Sequence, residues 1–200
     1  MKILIVGANG LIGGAIADRL SVKHELIRAG HSGGDVQVDL GSKASVEGMF
    51  EAAGPVDAVV CAAGLANFGA FKELDDGDFD LALSNKLMGQ VNLVRVGQNH
   101  IRDGGSFTLT SGILSQEPSP GSSVLSMVNG GLESFAKAAA LELERDMRVN
   151  VVSPDFVKET MEMMGMDSAA GISAADTAKA YEAAVEGQHN GATLAARDYA

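Results

Sequence analysis

Ile3-Leu4-Ile5-Val6-Gly7-Ala8-Asn9-Gly10-Leu11-Ile12-Gly13 is the stretch on which the fold turns. Its first four residues are apolar, three of them β-branched, and they stop at a glycine, the pattern of a short strand buried on both faces. Beyond the glycines, apolar residues recur at Leu11, Ile12, Ala15, Ile16 and Leu20, one face of a helix. Glycines placed between a strand and a helix permit a tight turn, let the backbone approach a pyrophosphate, and let the helix pack close to the strand. The helix start adds roughly half a positive charge. Gly7, Asn9, Gly10, Leu11, Ile12 and Gly13 therefore read as a phosphate cradle; the plainer alternative is a Gly-rich turn that holds nothing.

Working outward, strand and helix patterns alternate. His24–Ala29, Val36–Val38, Val56–Cys61, Ser106–Leu109, Arg148–Val152 and Ala192–Ala196 read as further strands, with Asp39-Leu40 closing the third. Ser42–Ala53 reads as a helix with a serine cap, and Asp78–Asn99, Gly121–Glu144 and Ser173–Glu186 as longer helices. Apolar strands alternating with helices predict a Rossmann-type, doubly wound α/β fold. It has a parallel sheet of about seven strands and helices on both faces. No repeat, low-complexity tract or Pro-rich linker divides residues 1–200, so one domain is expected, with ligands at the carboxyl ends of the strands.

The bulk numbers exclude several classes of partner. A formal charge of −11 argues against nucleic acid or an anionic membrane surface, which would require a basic face. The single cysteine, Cys61, leaves no internal disulfide and no Cys-based metal cage, and no metal site is expected. The apolar run at the N-terminus is too short for a signal peptide or a membrane span, which makes the cytoplasm the default compartment. With aromatics at 4% and no Trp, a ligand pocket would be lined by aliphatic side chains and methionine.

Which dinucleotide is favoured depends on the end of the second strand, where NAD-binding folds place an acid on the ribose 2′-hydroxyl. Here the chain reads Ala29-Gly30-His31-Ser32-Gly33, with no acid before Asp35. A 2′-phosphate would be tolerated, so NADP(H) is favoured over NAD(H), with His31 and Ser32 beside it. His31 is otherwise an exposed turn residue. Asp39 can accept from an adenine amino group, or instead cap the helix that follows.

These landmarks, with Ala62-Ala63-Gly64 after the fourth strand, Leu109-Thr110-Ser111 after the fifth and Val149-Asn150-Val151-Val152-Ser153-Pro154 after the sixth, resemble the short-chain dehydrogenase/reductase family. They run in family order from Gly7 to Pro154. The resemblance implies cofactor contacts at Gly7, Asn9, Gly10, Leu11, Ile12, Gly13, Asp39, Leu40, Ala62, Ala63, Gly64, Pro154 and a threonine near Thr160. It also implies a Ser, Tyr, Lys and Asn that act on a carbonyl or alcohol while a nicotinamide exchanges hydride. Ser111 matches the serine, unless it only caps the loop after the fifth strand.

The Tyr-x-x-x-Lys pair is missing. Alignment of the following helix puts Leu125 and Asn129 at its two positions, and a shift by one gives Val124 and Val128. Tyr181 and Tyr199, the two tyrosines, lie far outside the motif. In Asn85-Lys86-Leu87-Met88-Gly89 a lysine stands where the family places its asparagine, as though Lys86 and Asn129 had exchanged places. A desolvated Lys86 would have a lowered pKa and could donate the missing proton; otherwise it is a solvated helix lysine, and Asn129 is drift. Ser111, Lys86 and Asn129 are thus the candidate catalytic residues. Cys61 and Ala62 replace the usual asparagines, and Asp155 a glycine.

The loop from Lys158 to Gly171 carries Met161, Met163, Met164 and Met166, suited to an adaptable apolar lid or to plain packing against the core. Two functions follow: an NADP(H)-dependent oxidoreductase on a small, unidentified carbonyl or alcohol with a non-standard acid, or an inactive NADP(H)-sensing or protein-interaction module. The resemblance further implies a homodimer or homotetramer through the fourth and fifth long helices, with Val91, Val94, Leu132, Phe135 and Leu141 as apolar positions.

Overall fold

The computed structural model describes all 200 residues, Met1–Ala200. Seven strands form one sheet: β1 (Lys2–Val6), β2 (Glu25–Gly30), β3 (Val36–Gln37), β4 (Val56–Cys61), β5 (Ile101–Thr110), β6 (Arg148–Ser153) and β7 (Thr193–Ala195). Their spatial order is β3-β2-β1-β4-β5-β6-β7, and every neighbouring pair is parallel. The order reverses between β1 and β4, the switch point at which doubly wound sheets open a crevice at their carboxyl ends.

Alternation along β1 divides the core. Leu4 and Val6 point into one layer, with Val46, Met49 and Phe50 of α2 (Lys43–Ala53), Leu93 and Val94 of α4 (Met88–Gly97), and Leu132 and Ala136 of α5 (Ser123–Ala139). Ile3 and Ile5 point into the other, with Ile16 and Leu20 of α1 (Leu11–Leu20) and Tyr181, Ala184 and Val185 of α7 (Ala174–Glu186). Strands covered on both faces bury every apolar side chain, and for that reason they read as continuous apolar runs.

The expected elements are present; β5 begins at Ile101 rather than Ser106, and four further changes stand out. Asp39 and Leu40 follow β3 rather than close it, because Gly41 turns back onto the Asp39 carboxylate (2.9 Å) and Ser42 caps α2 by accepting from Ser45 N–H. The helix expected over 78–99 is α3 (Asp76–Leu81), a π-helical turn (Ala82–Leu87) and then α4. Its start moves upstream because Asp75 and Asp78 form a reciprocal capping box. The helix expected to reach Glu144 stops at Ala139, and Arg145 and Asp146, both at φ 56°, reverse the chain into β6. Finally, the Met-rich loop contains a short helix, α6 (Lys158–Met163). No helix is long and apolar enough to cross a membrane, and no cluster of His, Cys, Asp and Glu is disposed to hold a metal.

The apolar positions expected to face a second copy mostly face inward. Val91, Val94 and Leu132 are buried, and Phe135 packs against the core, because both helices spend these positions on the sheet. Leu141, at 88% exposure, lies beyond the end of α5, while Leu83, Met88 and Met127 are the exposed apolar residues on the outer faces.

Candidate active site

Three linked cavities run across the carboxyl ends of the strands. The first, about 170 Å³, is lined by Val6, Gly7, Gly30, His31, Asp39, Leu40, Ala63, Gly64 and Asn85, among others. It shares Ala63 and Gly64 with a second cavity of about 290 Å³, which also takes in Ile12, Ala62, Lys86, Ser111, Leu125, Asn129 and Pro154. The second shares Leu114, Leu125, Phe156 and Val157 with a third of about 480 Å³, beneath α6.

At the first cavity the chain turns sharply. Gly7 sits at φ +86°, and a Cβ there would lie 2.8 Å from the Ala63 Cβ. A Cβ on Gly13 would lie 2.0 Å from the Gly7 carbonyl oxygen, so α1 begins as close to β1 as backbone allows. Gly10 caps α1 without any side-chain hydrogen bond, leaving the first helical N–H groups free of a protein side chain. Asn9 Nδ2 donates to the Ser32 carbonyl at 3.3 Å and so ties the glycine loop to the turn after β2. In that turn Asp35 accepts from Arg28 N–H at 2.8 Å and closes the loop on itself, so Asp39 and not Asp35 is the carboxylate that lines the cavity with Gly30 and His31. Leu11 and Ser32 are exposed outside the cavity walls, and Ile12 reaches the second cavity instead.

At the second cavity the π-helical turn sets two adjacent side chains to different tasks. Asn85 Oδ1 accepts from Leu65 N–H at 2.8 Å, which pins the loop after β4. Lys86 turns inward and is 8% exposed. Its stem packs on Gly64, and its ammonium donates to the Ser111 carbonyl at 3.4 Å, with no carboxylate in contact. Burial lowers its pKa, while Cys61 opposes that shift. Cys61 itself is a neutral thiol, pushed up to about 11 by burial, so it offers Lys86 little charge at neutral pH. Ser111, 5% exposed, donates its hydroxyl to Glu133 Oε1 at 2.8 Å.

Asn129 Nδ2 donates to the Gly112 carbonyl at 3.3 Å, whereas its Oδ1 is buried and has no donor. Asp155 is held by Arg197 Nε at 2.9 Å, from the C-terminal turn. Thr160 does not join this group; it lies on α6 and lines the third cavity. The two tyrosines stay away: Tyr181 is fully buried with its hydroxyl 2.6 Å from Thr110 Oγ1, and Tyr199 packs at the edge of the α1–α7 layer. Sequence reading missed Glu133, whose signal is its position four residues after Asn129, on the same face of α5.

The family model for enoyl-(acyl carrier protein) reductases matches residues 12–196. The chain belongs to the short-chain dehydrogenase/reductase family. The protein lin1944 from Listeria innocua is 40% identical, with a TM-score of 0.94 over 98% of both chains. A solved small-chain dehydrogenase in complex with NADPH is 25% identical, with a TM-score of 0.88 over 98% of this chain and 95% of that one. Versicolorin reductase from Emericella nidulans is 27% identical over 183 residues, 79% of this chain and 69% of that protein. Members of this dehydrogenase/reductase family are oxidoreductases that bind a nicotinamide cofactor.

The residues present fit such a cofactor. A Cβ at Gly7 would collide with Ala63 and one at Gly13 with the Gly7 carbonyl, so these glycines bring the start of α1 close against the end of β1, where Gly7 lines the first cavity and a helix N-terminus can meet a pyrophosphate. The buried, donorless Asn129 Oδ1 carries a desolvation cost of about 1–3 kcal/mol unless a hydroxyl donates to it, and a ribose offers one.

Proposed function

We propose that this chain is an NADP(H)-dependent oxidoreductase acting on a small, apolar carbonyl or alcohol. The observation that carries the reading is the meeting of the Lys86–Ser111 pair with an apolar cavity along one continuous cleft. Preference for NADP(H) is supported by the lack of an acid from Gly30 to Gly34 at the end of β2; Asp39, the carboxylate that lines the same cavity, is assigned to the adenine. The reductase relative and the NADPH-bound neighbour support the same reading.

Gly7, Gly10 and Gly13 would hold the pyrophosphate, Asp39 and Leu40 the adenine, His31 and Ser32 the 2′-phosphate side, and Asn129 a ribose hydroxyl. Ala62, Ala63, Gly64 and Pro154 would flank the cofactor. When bound, the reduced nicotinamide supplies hydride. Ser111 faces the substrate oxygen, and the Lys86 ammonium stabilises the negative charge that grows on it. Such fixed charge is worth most in a desolvated site. Nothing charged lines the third cavity, so its substrate portion is uncharged and hydrophobic.

Leu125 and Asn129, standing where the family resemblance places Tyr and Lys, favour a second reading: a sensor that binds NADPH without turnover. One experiment separates them, namely NADPH oxidation against an aldehyde, ketone and quinone panel, with Ser111→Ala and Lys86→Ala beside wild type. Turnover that falls in both variants supports the enzyme, tight binding without turnover supports the sensor, and absence of NADPH binding refutes both. A homodimer or homotetramer in the cytoplasm, with Leu83, Met88 and Met127 at the interface, is part of the same proposal. Light scattering tests its assembly.

A further inference from the structure

One turn beyond Asn129, Glu133 directs its carboxylate to serine hydroxyls. Ser111 Oγ donates to Oε1 at 2.8 Å and Ser115 Oγ donates to the same oxygen at 2.6 Å. Ser111 lines the cleft; Glu133 stands behind it and does not. No cation answers the carboxylate, since Glu133 takes part in no ion pair.

The charged groups on the elements around it are engaged elsewhere or point away. Lys86, from the π-helical turn, faces the Ser111 carbonyl rather than its hydroxyl. Arg148, on β6, donates to the carbonyls of Ala184, Val185 and His189. Arg95, on α4, donates to Asn92. Glu117 and Asp155, near the turn after β5 and the end of β6, are bound to Arg197. Lys137, one turn further along α5, makes no ion pair with Glu133. The 3₁₀ turn Ile113–Ser115 brings no charge.

A hydroxyl has one proton to give. While Glu133 is ionised, the Ser111 proton is committed to it, and Ser111 shows the cleft only lone pairs. Once Glu133 is protonated, its O–H donates to Ser111 and frees the serine proton for the cleft. We propose that Glu133 is the positioning residue that sets the proton on Ser111 and, through Ser111, the source of the proton taken up by the reduced substrate. The inference rests on the reductase reading above and supplies the acid that the absent tyrosine leaves open.

The step balances. As hydride from reduced nicotinamide bonds to the carbonyl carbon, the carbon–oxygen π pair moves to oxygen. That oxygen takes the Ser111 proton, Ser111 Oγ takes the Glu133 proton, and a carboxylate remains. Glu133 is half-buried, so water returns the proton to it. In alcohol oxidation the same chain runs backwards, with ionised Glu133 as the acceptor.

The test uses the full chain with NADPH and benzil, an uncharged aromatic diketone. Glu133→Gln is expected to lower kcat by about 10²-fold, the usual cost of losing a general acid, with the NADPH Kd and benzil KM within about twofold. It should also abolish the solvent deuterium isotope effect on kcat that proton transfer along Ser111 and Glu133 gives the wild type. Ser115→Ala, which removes the other donor to the carboxylate and leaves Ser111 in place, should keep that isotope effect. Independently of turnover, the ¹³C shift of the Glu133 carboxyl at fixed pH in the cofactor-free protein should change in Ser111→Ala, which removes the hydroxyl that donates to it. A Gln variant with the wild-type isotope effect overturns the relay, whether or not its kcat falls, and so does an unmoved carboxyl shift. If wild type turns over no member of the carbonyl panel, the reductase reading fails and the relay with it.

Discussion

The ammonium of Lys86 lies 3.4 Å from the carbonyl oxygen of Ser111, buried and without a carboxylate partner. A charge kept out of water with a single carbonyl for company destabilises the fold. Lys86→Met is therefore expected to raise Tm by a few degrees at neutral pH, since about 1 kcal/mol corresponds to 2–4 °C in a chain of this size. The sign follows from the lowered pKa: between the folded value and the ordinary 10.5, the unfolded chain binds the extra proton. Wild type thus gains stability as pH rises through that window, and the gap to Lys86→Met narrows in urea melts. The same variant should lose about 10²-fold in kcat, because the charge is spent on the substrate oxygen.

At the glycine loop, the 2.0 Å approach of a hypothetical Gly13 Cβ to the Gly7 carbonyl leaves no room for a methyl group. Gly13→Ala must push α1 away from β1. That should lower stability by about 2 kcal/mol or more and weaken NADPH by at least tenfold, read by calorimetry and fluorescence titration.

Most of this architecture was legible in the chain, for one reason. Strands covered on both faces, such as Val56–Cys61, stand out as unbroken apolar runs, and the glycine loop has a spacing only a close backbone approach requires. The active site was less legible at Asn85 and Lys86. Counting three back from Gly89 gives Lys86, the side chain that the fold turns into the cleft; what counting could not show is that the π-helical turn sets Asn85 to a separate task at Leu65 N–H. Glu133 was hidden differently, because its partner Ser111 is 22 residues earlier and on another element. Asn129 was legible as a position, but its unpaired oxygen was not.

Tyr181 gives a negative control. Its hydroxyl is 2.6 Å from Thr110 Oγ1, and burial pushes its pKa well up, so it serves the core rather than the chemistry. Tyr181→Phe leaves a buried hydroxyl one partner short and should cost about 1 kcal/mol in urea unfolding. Its kcat should stay within about twofold of wild type. A large loss of turnover would place the missing acid on Tyr181 instead.

The corner at Gly30 and His31 is where the proposed cofactor preference can be tested. His31→Asp places a carboxylate where the 2′-phosphate is proposed to lie, and repulsion in a partly desolvated crevice should weaken NADPH by at least tenfold, about 1.4 kcal/mol. NADH, with a hydroxyl to donate there, should hold or gain. Fluorescence titration with both cofactors checks the ratio. An unchanged NADPH-to-NADH preference would move the recognition of the 2′-position to another residue.

On the proposed reading, the apolar cavity beneath α6 makes a graded demand on the substrate. Phe68, Leu125, Phe156 and Met161 line it, with Met164 and Met166 at its edge, and no ionisable side chain among its walls can pair with a charged group. Each added methylene buried there contributes about 0.8 kcal/mol, or close to fourfold in kcat/KM. Across a series of phenyl alkyl ketones, kcat/KM should therefore climb by that factor per methylene until the cavity is full. A terminal carboxylate should reverse the gain, since burying an unpaired charge is prohibitive. Phe156→Ala should flatten the slope, because Phe156 borders both the cavity and the cleft with Ser111. A series with no slope in wild type would show that the substrate approaches Ser111 from elsewhere.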